Sequence, residues 1–131
     1  MSGYLADTSV FVAAEQRRAL GQPPDGEARI SVATLTELGV CVRLATSAKL
    51  RQLREATLGA ALRFVPLPYD ELVAVRLADL LAEARSRRRR AGAMDAIIAA
   101  TALVHDLDVW TQDDDFDVIA ELAPDLRVRR G

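Results

Sequence analysis

Short apolar runs alternate with stretches of helical hydrophobic spacing along the 131 residues of this chain. Tyr4 to Ala6 (YLA) reads as a first strand running into a helix through DTSVFVAAEQRRAL. Ala28 to Ala33 (ARISVA) reads as a second strand, followed by a helix over TLTELGVCVRLA. SAKLRQLREATLGAAL sets Leu50, Leu53, Leu58 and Leu62 on one helical face, expected to be core. Arg63 to Leu67 (RFVPL) is a third strand, followed by a helix over DELVAVRLADLLAEAR with an aspartate in its first turn. MDAIIAATALVHD is apolar nearly all round, the mark of a buried helix. DVWT is a fourth strand, DFDVIAEL a short helix and LRVRR a final edge strand. This alternation predicts an α/β fold, a parallel sheet covered by helices on both faces, in one domain spanning residues 1–131. Right-handed crossovers then bring the carboxyl ends of the strands to one edge, where ligands of open α/β sheets bind.

Charge narrows the function classes. The net charge is −2, so no overall basic field advertises a polyanion, yet the 16 arginines against one lysine include five inside RSRRRR, Arg85 to Arg90. One cysteine, Cys41, excludes an internal disulfide and a thiolate zinc cluster, and a single histidine, His105, argues against a classical zinc site. The amino end lacks the pattern of a signal peptide, and AIIAATALV is too short to span a bilayer, so a cytoplasmic location without membrane contact is expected.

The acids then fall into a pattern. Asp7 ends the first strand, Glu37 follows the second, and Asp113 and Asp115 follow the fourth within TQDDDFD, where four aspartates occupy five positions. Asp95 opens the buried helix without a strand before it, so its convergence with the others does not follow from element order. Each acid also has a plain structural reading. Asp7 or Ser9 serves as an ordinary N-cap, Thr34 and Glu37 fit a capping box, and Asp95 suits a helix macrodipole. Caps, however, are equally served by Ser, Thr or Asn, whereas all four places here carry a carboxylate. Two such charges 4 Å apart repel by about 4 kcal/mol at an effective dielectric near 20. A hard divalent cation, Mg²⁺ or Mn²⁺, relieves that repulsion with oxygen ligands alone.

An early DTS after an apolar strand, then TELGV, MDAIIAATAL and TQDDDFD, occur in the order and at the approximate spacing of the PIN-domain nucleases, which the chain resembles over essentially its whole length. The likeness is greatest to the VapC-type toxins of bacterial toxin–antitoxin pairs. It implies a three-layer α/β/α sandwich with an acidic pocket at the strand ends. Asp7, Glu37, Asp95 and Asp113 match the family's catalytic acids; Asp7, Asp95, Asp113 and Asp115 match its ligands for one or two Mg²⁺ or Mn²⁺ ions; Ser9 and Thr8 match the hydroxyls that support metal or water. Asp114 and Asp117 match no required position and read as solvated charges. The implied activity is hydrolysis of RNA phosphodiesters by a metal-activated water, leaving a 5′-phosphate and a 3′-hydroxyl. Implied partners are an RNA substrate, a VapB-type antitoxin whose tail sets a cation against the acids, and a second copy of the chain in a homodimer.

Several other features carry two readings. Arg85, Arg87, Arg88, Arg89 and Arg90 form either a solvated helix end or a clamp for RNA phosphates near the pocket mouth, which would add affinity more than sequence choice. His105 reads as a helix-end residue, Cys41 as core, and Trp110 as core in preference to base stacking. Exposed parts of the leucine-rich helices after Glu37 offer a groove for an antitoxin. A receiver domain would need a lysine at a late strand end, and Lys49 lies within an early helix. A haloacid-dehalogenase-type phosphatase would need two aspartates in its first motif. The remaining alternative is a catalytically silent PIN-like module that binds RNA or a protein partner.

Overall fold

The computed structural model describes residues 3–131, so Met1 and Ser2 of the expected 1–131 unit lie outside the described residues. Its elements run β1 (Tyr4–Ala6), α1 (Thr8–Glu15), β2 (Ala28–Ser31), α2 (Val32–Arg43), α3 (Ala48–Ala61), β3 (Val65–Leu67), α4 (Glu71–Ser86), α5 (Ala93–Val104), β4 (Asp108–Thr111), α6 (Asp115–Leu122) and β5 (Val128–Arg130). The strands form one parallel sheet in the order β3-β2-β1-β4-β5. The architecture is therefore the expected α/β/α sandwich.

Side-chain alternation along the strands splits the core into two layers. Leu5, Leu67 and Val109 point to one face, where they meet Leu80 and Ala84 of α4, Ile98, Ala99 and Ala102 of α5, and Phe116 and Ile119 of α6. Ala6, Ile30 and Trp110 point to the other, against Val10 and Phe11 of α1, Leu38 of α2 and Ala61 of α3. Trp110 is a core residue, its ring meeting Tyr4 edge-on at 5.7 Å between centroids. The apolar girdle of α5 is explained by its double covering: Val73 and Leu77 of α4 close over Ala96 and Ala100, on the side away from the sheet.

Three local expectations change. Helix α1 stops at Glu15, because Arg17 takes a left-handed φ of 56° and Pro23 and Pro24 follow. The second strand gives way earlier than ARISVA suggests: Ser31 caps α2, accepting from the Ala33 N–H at 3.0 Å. Thr34 is consequently inside the helix and fully buried, and no Thr34–Glu37 capping box forms. Helix α3 buries Ala61 alone, leaving Leu53 and Leu62 exposed and Leu50 and Leu58 half-buried, so its leucine face is not the core it resembles. At the sheet edge, Arg127 and Arg129 of the β5 segment bind Asp108, and Arg127 also binds Asp106. Burial alone would raise the Asp108 carboxyl, but hydrogen bonds from Arg127 and Arg129 hold it below its ordinary value. Among the described residues no helix is long and apolar enough to cross a membrane.

Candidate functional site

Strand order fixes where a site can form. The chain steps outward from β1 through β2 to β3, then returns to the other side of β1 for β4, making β1 and β4 neighbours at the topological switch point. Ala6 pairs with Trp110, and the Asp7 N–H donates to Trp110 O at 2.9 Å, so the residues leaving the two strands, Asp7 and Thr111, emerge side by side.

Asp7 is 2% exposed and caps α1. Its Oδ2 accepts three hydrogen bonds: from the Ser9 N–H at 3.3 Å, from Ser9 Oγ at 2.7 Å and from Thr111 Oγ1 at 3.0 Å. The same two hydroxyls accept from the loop after β4, Ser9 Oγ from the Gln112 N–H at 2.9 Å and Thr111 Oγ1 from the Asp113 N–H at 3.0 Å. One carboxylate oxygen thus anchors both strand ends. Among the described residues Oδ1 accepts no hydrogen bond, and the buried polar side-chain atoms left unpartnered are His105 Nε2 and Trp110 Nε1. Oδ1 is therefore open to the cleft.

That cleft, of about 480 Å³, is lined by Asp7, Thr8, Ser9, Arg18, Thr36, Glu37, Asp95 and Asp113, with Val12, Val40, Cys41 and Met94 supplying apolar wall. Glu37 reaches it from the second turn of α2 and accepts from Thr8 Oγ1 at 2.7 Å, while Thr34 Oγ1 stands 3.0 Å from the same hydroxyl. Asp95 reaches it from the first turn of α5. The acids feel one another. Burial, then the charges of Asp7, Glu37, Asp115 and Asp113, push the Asp95 carboxyl up to about 7. Burial raises Glu37 as well, opposed by the Thr8 hydrogen bond and reinforced by Asp7 and Asp113. Asp113 is raised by burial, Asp7 and Asp115, and lowered by Arg18.

The four acids expected from the sequence, with Thr8 and Ser9, therefore share one cleft. Asp115 stands outside its wall, exposed on the first turn of α6, yet close enough to act on Asp95 and Asp113. The acidic run divides between two uses. Asp113 and Asp115 act on the cleft, whereas Asp114 and Asp117 are both bound by Arg130, so they are ion-paired in place of the free solvation expected of them.

The arginine run lies elsewhere: none of Arg85, Arg87, Arg88, Arg89 and Arg90 lines the cleft. Arg87 pairs with Glu83 at 2.6 Å and approaches Glu121 O, and Arg89 pairs with Glu121 at 2.8 Å, placing both beside the C-terminal end of α6, where a cation meets the negative end of the macrodipole. Cys41 is a wall residue of the cleft rather than core. His105 is the C-cap of α5, as its position suggested. Sequence reading missed Arg18 and Thr111. Thr111 opens the TQDDDFD motif at the end of the fourth strand, which was a usable signal; nothing in the sequence marked Arg18.

The donor set is oxygen throughout: Asp7 Oδ1, the three other carboxylates and nearby hydroxyls. It matches a hard cation, and burial with the neighbouring carboxylates raises Asp95. Among the described residues no three acidic, histidine or cysteine side chains already stand at ligand spacing.

Comparison with known proteins gives a consistent family. The PIN domain model matches residues 4–122. The chain is 38% identical over 128 residues to Ribonuclease VapC4 of Mycobacterium tuberculosis, covering 95% of this chain and 93% of the relative. It is 41% identical over 112 residues to Ribonuclease VapC5 of the same organism, covering 84% and 82%. Among solved structures, VapBC-5 of M. tuberculosis, a member of the VapBC family of toxin-antitoxin systems, superposes with a TM-score of 0.85 at 32% identity over 100% of both chains. FitAcB from Neisseria gonorrhoeae superposes with a TM-score of 0.71 at 28% identity over 95% of both. The chain belongs to the PIN-domain family and is closely related to the VapC toxins of type II toxin–antitoxin systems.

Proposed function

We propose that the chain is a Mg²⁺- or Mn²⁺-dependent endoribonuclease, the toxin of a toxin–antitoxin pair, working through Asp7, Glu37, Asp95 and Asp113. The observation that carries this reading is the convergence of four carboxylates from four separate elements on one cleft. Its support from kinship is the pair of relatives named ribonucleases, at 38% and 41% identity.

Asp7, Asp95 and Asp113 are the residues assigned to hold the ion, with Asp115 near enough to act through its charge or an intervening water. Mg²⁺ takes only one or two carboxylates directly and keeps several waters, so a loose acidic set suits it. When bound, the ion would polarise the phosphodiester and activate water for its hydrolysis. The chain's own parts have separable duties. Ser9 and Thr111 hold Asp7 with Oδ1 facing the cleft. Thr8 orients Glu37 to accept a proton from the attacking water. Asp95 gives up its own proton before it can act as a ligand. Val12, Val40 and Met94 exclude part of the bulk solvent from this wall.

An antitoxin partner is supported by the solved relative that belongs to the VapBC family of toxin-antitoxin systems. Exposed Val40, Leu44 and Leu53 on α2, its C-cap and α3 provide apolar surface for that contact, and Leu62, Val65 and Leu72 provide some for a second copy of the chain.

The test is an RNase assay with Mg²⁺ on the wild-type protein beside Asp7→Asn and Asp95→Asn. Both variants are expected to lose more than roughly a hundredfold, since loss of a ligand's supporting partner alone costs about 10- to 100-fold. Equal activity in all three removes the catalytic assignment and leaves the silent binding module.

A further inference from the structure

Arg18 is, among the described residues, the basic side chain that lines the acidic cleft, and the backbone holds it there. Helix α1 ends in a Schellman arrangement. Arg17 takes φ 56°, its N–H donates to Ala14 O at 3.1 Å, and the Arg18 N–H donates to Ala13 O at 2.9 Å. The chain direction at Arg18 is therefore set by the helix end, and the Gln112 side chain, from beyond β4, reaches Ala19 O at 3.5 Å.

The guanidinium itself is uncommitted. Arg87, Arg89, Arg127, Arg129 and Arg130 are tied to carboxylates. Among the described residues Arg18, like Arg17, Arg63, Arg85, Arg88 and Arg90, enters no ion pair and donates no side-chain hydrogen bond, and of these it alone lines the cleft. An exposed guanidinium that forms no ion pair, with its charge already felt by Asp113, has its donors free for a further anion. The acids would repel the phosphates of any nucleic acid entering the cleft. A guanidinium presents a planar fork of donors that binds a phosphate through two parallel hydrogen bonds. A cleft of about 480 Å³ has room for part of a single strand.

We propose that Arg18 binds a backbone phosphate of a single-stranded RNA in this cleft and holds the strand across Asp113 towards Asp7 and Asp95. The cation that positions the strand then comes from the end of α1, in place of the Arg85–Arg90 run. That RNA is the strand bound rests on the nuclease reading; the phosphate contact has its own readout.

The experiment measures binding of a short fluorescein-labelled single-stranded RNA of mixed sequence to the Asp95→Asn protein across a salt series. Adding Arg18→Gln is expected to weaken binding several-fold and to reduce the slope of log K against log salt by about 0.7, the value for one phosphate contact on a single strand. Arg18→Lys keeps the slope and loses part of the affinity. Arg51→Gln, which removes an exposed charge on α3, changes neither. In protein otherwise wild type, Arg18→Gln lowers kcat/KM chiefly through a rise in KM, with a smaller change in kcat because Arg18 also acts on Asp113. An unchanged slope in Arg18→Gln, or an equal drop in Arg51→Gln, overturns the proposal. Cleavage by the wild type with an unchanged slope removes the Arg18 site and keeps the nuclease. An Arg18-dependent slope in a protein that cleaves nothing does the reverse.

Discussion

Thr111 Oγ1 donates to Asp7 Oδ2 at 3.0 Å across 104 residues of sequence, and both residues are buried. Replacing the hydroxyl by a methyl leaves a buried carboxylate one donor short. Thr111→Val is expected to destabilise the protein by about 1–3 kcal/mol in urea denaturation, with Thr111→Ser close to wild type. Equal stability of the Val variant and the wild type would show that the bond carries no weight.

Asp95 makes the metal-free protein less stable in alkali. Its carboxyl titrates near 3.8 when unfolded and at about 7 when folded. The native state thus holds the extra proton between those values, and the stability this contributes is full below the lower one and lost as pH rises through the upper one. The group is partly exposed, so screening reduces the effect to about 1–2 kcal/mol. Asp95→Asn should therefore be the more stable protein at pH 8 in EDTA by that amount, with the gap closing near pH 4, in paired denaturation curves. A gap of constant size at both pH values would contradict the assignment.

On the proposed reading, the same proton competes with the ion. Below pH 7 the apparent Mg²⁺ affinity of the wild type should fall by about tenfold per pH unit, and calorimetry should register proton uptake by the buffer on binding. An affinity flat from pH 6 to pH 8 would take Asp95 out of the ligand set.

Phe116 is fully buried between two exposed aspartates, Asp115 and Asp117, and pins α6 to the core shared with Ile98 and Val109. Phe116→Ala should cost about 3–5 kcal/mol. Phe116→Leu should cost less than about 1.5 kcal/mol and retain RNA cleavage, because α6 still docks. Thermal unfolding and the RNase assay together check this; a Leu variant that is stable but inactive would mean the ring itself shapes the site.

Periodicity located every strand and helix, since alternating apolar runs and all-round apolar α5 are burial patterns that local sequence carries directly. Element ends were harder. Ser31 and Thr34 are both plausible caps, and only the packing of Thr34 beside Thr8 decides between them. The leucines of α3 misled because spacing shows that a face is apolar, not that anything covers it. Asp95 was more legible than element order alone suggested. Helix α5 reaches β4 through only His105 to Leu107, which forces the two to run in opposite directions, so the start of α5 returns to the edge where β4 ends. The position of Arg18 required the αL turn at Arg17, a non-glycine conformation that no local signal announces.

Because β1 and β4 are sheet neighbours, the cleft joins residues from the first and last fifths of the chain. A ribosome that has released Asp7, Glu37 and even Asp95 has made no such cleft until Thr111 and Asp113 emerge and dock beside the first strand. Long-range pairing of this kind forms late, once its loop-closure entropy has been overcome. On the proposed nuclease reading, a product that stops short of Thr111 and Asp113 lacks the assembled cleft and leaves RNA uncut.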